Sequence, residues 1–136
     1  MFKWEQISNF KLKWNYKKWR IESQFQSELL WIMRWMGYIC YHIADIWLWN
    51  KFLDLFFITK EWLCLFLELK QISWSTFNVK KFEENQIILL RELEKRNPEL
   101  ARVWIFSVKH NAYKILKFSE IWEAQNEKGW VKIFDK

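Results

Sequence analysis

The stretch Glu28–Phe57, ELLWIMRWMGYICYHIADIWLWNKFLDLFF, decides how the fold is read. Its apolar residues recur at helical spacing but occupy every side of the wheel, the pattern of a helix buried in a core. Ser23 or Ser27 supplies an N-cap for it. A bilayer span needs about 20 mostly apolar residues with few charges, and residues 29–49 carry Arg34, His42 and Asp45. Each central charge costs about 2.5–3.5 kcal/mol on the insertion scale, and each large apolar residue returns about 0.3–0.6 kcal/mol. A core helix is therefore preferred over a span.

Working toward the C-terminus, Thr59 caps a second expected helix over KEWLCLFLELK. SWSTFN at 73–78 is the clearest loop and the expected hinge, and VKKFEENQIILLRELEKRN follows as a third helix. There Phe82, Ile87, Leu90 and Leu93 form a stripe, and Glu92 precedes Arg96 by four residues. Asn97-Pro98-Glu99 reads as a helix start: an Asn cap, Pro at the first position, an acid in the first turn. The helix expected after it turns Leu100, Trp104, Val108, Ile115 and Trp122 inward, breaks near Ser119 and closes at Lys128-Gly129. Trp130–Phe134 alternates as a short strand.

Toward the N-terminus, Phe10, Leu12, Trp14 and Tyr16 alternate with Lys11 and Lys13, and Trp19 and Ile21 flank Arg20. This predicts a hairpin turning at residues 15–18. The expected fold class is therefore mainly α, with four to five helices around an aromatic-rich core, a basic aromatic N-terminal arm or hairpin over 1–22, and a short C-terminal strand. The helical domain runs over 23–136 of one overall domain.

The chain has 136 residues and a net charge of +6, with 12 Trp, 12 Phe and 4 Tyr making it 21% aromatic. Only 2 Gly, 1 Pro and 2 Cys are present, which excludes collagen-like chains and disulfide scaffolds. Two glycines also exclude glycine-rich phosphate loops. Abundant Phe, Ile and Lys suggest an AT-rich gene, whereas Trp needs the codon UGG; reading UGA as Trp resolves the conflict and points to a mitochondrion. No secretory signal is read at the start.

Lys3, Lys11, Lys13, Lys17, Lys18 and Arg20 against Glu5 place +5 of the net charge in the first 20 residues. Such a segment suits an anionic partner, RNA above all. With Trp4, Trp14 and Trp19 to stack on bases, these residues are the candidate binding site. Cys40 and Cys64 lie too far apart for a metal motif and are expected as buried thiols. His42 and Asp45, with Arg34, read as a polar spot in the core. His110 reads as solvent-facing. No GxSxG or HExxH occurs, so no catalytic residue, metal or cofactor is expected.

The function expected from sequence is a non-catalytic structural subunit of a larger protein or ribonucleoprotein assembly, its arm on RNA or another anionic surface. A small membrane-complex subunit anchored by residues 29–49, and a designed or newly arisen helical protein without defined function, are the alternatives.

Overall fold

The computed structural model describes residues 2–8, 21–42 and 53–135. Its centre is a five-stranded mixed sheet in the order β1-β2-β3-β5-β6, built from β1 (Ile39–His42), β2 (Leu55–Ile58), β3 (Cys64–Ile72), β5 (Ala101–Ser107) and β6 (Ala112–Leu116). β4 (Thr76–Asn78) and β7 (Trp130–Lys132) form a separate antiparallel pair. Helices α1 (Glu5–Ser8) and α2 (Ile21–Trp35) precede the sheet, α3 (Glu84–Arg96) connects β4 to β5, and α4 (Phe118–Ala124) follows β6. All neighbours in the large sheet are antiparallel except β3 and β5, which run parallel with Phe66 opposite Ala101.

Two buried clusters lie on opposite faces of this sheet. On one, Leu55, Phe57, Leu65, Leu67, Leu69, Trp104 and Phe106 meet Leu29, Leu30 and Met33 of α2 and Trp4 and Ile7 of the N-terminal turn. On the other, Val103, Ile105 and Ile72, with Phe56 and Phe66 at the margin, meet Leu90 of α3, Phe118 and Ile121 of α4, and Phe77 and Val131 of the small sheet. The architecture is a three-layer α/β/α sandwich.

The mainly helical expectation is therefore wrong, and the reason is specific. Strands covered on both faces read as unbroken apolar runs, which periodicity cannot separate from buried helix. KEWLCLFLELK becomes a hairpin end and β3, and the helix expected after Asn97 becomes β5, β6 and α4. Asn97 instead terminates α3: its amide donates to Leu93 O at 3.0 Å, and its side chain accepts from Glu99 N at 3.0 Å. The third expected helix forms as α3, shortened at its start by a 3₁₀ turn over Val79–Lys81. The C-terminal strand forms over Trp130–Lys132, and the loop expected at 73–78 yields β4 in its second half.

Residues 29–49 do not form one helix, because α2 stops at Trp35. Tyr38 N donates to Met33 O at 3.1 Å and Gly37 N to Arg34 O at 3.0 Å, with Gly37 at φ +92°. These bonds make a Schellman C-cap, for which Gly37 supplies the left-handed residue. Among the described residues no helix is long and apolar enough to cross a membrane. The expected hairpin at residues 9–20 lies outside the described residues; Ile21, assigned to it, begins α2.

Thr59 is not a helix cap either. It closes the β2–β3 turn, its amide donating to Leu63 O at 3.0 Å and its hydroxyl accepting from Leu63 N at 3.2 Å. Trp62 takes the left-handed position of this three-residue connection, at φ 65°, where glycine is usual. Its indole is 80% exposed and repays none of that strain by packing.

These two positions predict shifts of opposite sign. Gly37→Ala has open space for its Cβ but an unfavourable φ, and should lower unfolding free energy by about 1 kcal/mol. Trp62→Gly should raise it by about 0.5–1 kcal/mol, once glycine's extra unfolded-state entropy is set against the relieved strain. Urea unfolding of the two variants beside the parent chain measures both.

Candidate functional site

A polar cluster interrupts the apolar face that the sheet turns toward α3. Leu55 opens β2 and pairs with Leu67 of β3; Asp54 directly precedes it in the chain, and Glu68 directly follows Leu67. Asp54 is 3% and Glu68 1% exposed. Asp54 Oδ2 accepts the amide of Leu69 at 2.7 Å, extending the hydrogen-bond ladder past the end of β2. Side chains alternate along a strand, so Leu65, Leu67 and Leu69 enter the α2 face while Phe66, Glu68 and Lys70 turn the other way.

Lys70 stands two residues from Glu68 on that face, Nζ to Oε2 at 3.9 Å. Its ammonium also donates to Lys81 O at 3.0 Å and to Gln86 Oε1 at 3.2 Å, and lies 5.5 Å from the Phe82 ring centroid. Gln86, buried in the first turn of α3, is fixed by that helix's capping box, its Oε1 accepting Glu83 N at 3.1 Å. A two-residue strand spacing thus places Glu68 and Lys70, a side-chain bond to the Leu69 amide adds Asp54, and a helix cap adds Gln86.

Removing a carboxylate from water costs several kcal/mol. Carboxylate oxygens are the donors that Mg²⁺ and Mn²⁺ prefer. Among the described residues no set of three or more His, Cys, Asp or Glu comes together as a metal site. A cation here would hold two protein carboxylates and fill its remaining positions with water or a ligand, the usual arrangement for Mg²⁺.

The N-terminal candidates fare differently from one another. Lys3 is exposed. Trp4 is not available for stacking: it is 5% exposed, its Nε1 donates to Glu99 O at 2.9 Å, and Phe2 and Phe57 pack edge-on against it. Arg102, itself tied to both carboxylate oxygens of Glu99 at 3.2 Å, lies 5.3 Å from the indole centroid. Lys11, Lys13, Trp14, Lys17, Lys18, Trp19 and Arg20 lie outside the described residues, as does Asp45. Arg34 ties α2 to β1, its Nε donating to Cys40 O at 3.0 Å. His110 is half-buried rather than solvent-facing, stacked on Phe134 at 5.2 Å with Nε2 2.9 Å from Ser75 Oγ.

Asp54, Glu68, Lys70 and Gln86 were absent from the sequence-derived site. Their signal was there: LDLFFI and LFLELK each hold charged residues within an apolar run. Read as helix, those charges fall near helix ends, where solvent explains them. No protein-family model and no curated protein matches the chain.

Both thiols are free. Burial pushes Cys40 up to about 12, Arg34 offsetting part of the rise, and burial also raises Cys64. Both are therefore protonated, and weakly nucleophilic, at neutral pH. A raised folded-state thiol adds stability that is present below the unfolded value near 9 and is lost as pH rises through about 12. Stability should accordingly fall across that window, and less steeply in Cys40→Ala, when denaturant midpoints are measured against pH. A maleimide at neutral pH should label Cys64, which is half-buried, faster than Cys40.

Proposed function

We propose that this protein hydrolyses phosphodiester bonds of a nucleic acid, using a divalent cation held by Asp54 and Glu68. The observation that carries this reading is two buried carboxylates close in the fold, Glu68 on β3 and Asp54 just before β2 with its Oδ2 on the Leu69 amide, and Lys70 Nζ 3.9 Å from Glu68 Oε2.

Mg²⁺ in such a setting binds one or two carboxylates and completes its shell with water and substrate phosphate. When bound it would withdraw charge from the phosphate and orient its oxygens. Lys70 supplies a compact cation for a non-bridging phosphate oxygen, and Gln86 holds that ammonium in place. A water oxygen forms the new bond to phosphorus, one ester P–O bond breaks, and the departing oxygen takes up a proton. Lys70 is the most exposed of the three charged groups, its side chain 15% exposed against 1% for Glu68. The +6 net charge and the cations at positions 11–20 suit a polyanionic substrate.

The non-catalytic subunit expected from sequence shares the nucleic-acid partner and differs in needing no metal. Labelled RNA and DNA, incubated with Mg²⁺ or Mn²⁺ and with EDTA as control, separate the two. The proposal expects cation-dependent cleavage, lowered at least a hundredfold in Asp54→Asn and Glu68→Gln and about a hundredfold in Lys70→Ala. Binding of RNA without cleavage under any divalent cation would favour the non-catalytic subunit, as would cleavage unchanged in Asp54→Asn.

A further inference from the structure

Lys70 lies near the carboxyl end of β3, the strand that pairs in parallel with β5. In open α/β sheets, ligands gather beyond the carboxyl ends of such strands. Two connections meet there: residues 73–75, leaving β3, and residues 108–111, leaving β5. They are tightly stitched. Val108 N donates to Ile72 O at 2.9 Å, Lys109 N to Ser73 O at 3.1 Å, and the Ser107 hydroxyl to Trp74 O. The Ser107 hydroxyl in turn accepts from His110 N at 3.3 Å, and His110 Nε2 meets Ser75 Oγ at 2.9 Å.

Out of this fixed framework projects Trp74, 64% exposed, with Lys109 Nζ 4.5 Å from its ring centroid. An indole held by its backbone yet left in solvent contributes little to the core. Beside a lysine, it has the two features that non-specific single-strand binding uses, a flat ring for a base and a cation for the phosphate. Trp74 stands four positions after Lys70, at most about 14 Å of chain, which a few nucleotides cover at about 3.4 Å each along a stacked strand.

We propose that Trp74 and Lys109 form a subsite for single-stranded nucleic acid, stacking one unpaired base and binding its phosphate so that the strand continues toward Lys70. The inference rests on the phosphodiesterase reading for its direction, and it adds the substrate class: an unpaired strand, because the face of a base inside a duplex is already stacked on its neighbours.

Binding is measured by fluorescence anisotropy in EDTA, with a short labelled single-stranded oligonucleotide and its blunt duplex, so that hydrolysis plays no part. The single strand should bind more tightly than the duplex. Trp74→Ala should weaken single-strand binding about tenfold, since one stacked base contributes about 1–3 kcal/mol, and Trp74→Phe should restore most of it. Lys109→Ala should reduce the slope of log affinity against log salt by about 0.7. Parent-like affinity in Trp74→Ala, or duplex binding equal to single-strand binding, overturns the subsite. If cleavage is intact when that happens, the catalytic reading stands without it. If no cleavage is found while Trp74→Ala still weakens binding, the subsite stands and the catalytic reading falls. Binding to anionic lipid vesicles, but not to the oligonucleotide, that depends on Trp74 would also overturn it.

Discussion

Strand β3 is covered on both sides, and much of the molecule answers to that constraint. Its leucines at 65, 67 and 69 fill the α2 face, which closes with Trp104 and Phe106 of β5. On the other face an equally apolar lining would be expected. Phe66 and Ile72 supply it at the ends, but Glu68 and Lys70 stand between them, and Asp54, just before β2, takes the amide of Leu69. The surrounding elements accommodate this: Leu69 gives its amide to Asp54, and the start of α3 presents Gln86 to Lys70. A polar group set into the middle layer of a sandwich constrains the β2 end, β3 and the α3 cap together.

How legible this was depended on the period chosen for each apolar run. α3 could be read because its stripe is one-sided and its ends are polar, and the terminal strand because it is short and alternates. β3 and β5 could not, because both are covered on both faces, and β3 is built largely of Leu, Glu and Lys, good helix formers. The choice of helix then hid the site. In a helix, Glu68 and Lys70 point in different directions, whereas in a strand they share a face. Gly37, the sharpest local signal in the opening stretch, marks the end of α2 through its left-handed backbone.

The N-terminal segment contributes in a way its composition does not suggest. Trp4 is a buried anchor, hydrogen-bonded to Glu99, and the Tyr113 hydroxyl donates to Ile7 O at 3.0 Å. The first turn is thereby fastened to the β5–β6 side of the sheet.

We propose that Asp54 and Glu68 are kept together for a cation rather than for the fold. Thermal unfolding of the parent chain, Asp54→Asn and Glu68→Gln, each in EDTA and across a titration of Mg²⁺ or Mn²⁺, tests this most directly. Both substitutions preserve size and hydrogen-bonding capacity while removing one charge. On this account the parent chain gains stability with cation concentration as a ligand-binding fold must, and the variants melt higher than the parent in EDTA and do not respond to the cation. A parent chain indifferent to divalent cations, with variants that melt lower, would mean that the carboxylates serve the sheet alone.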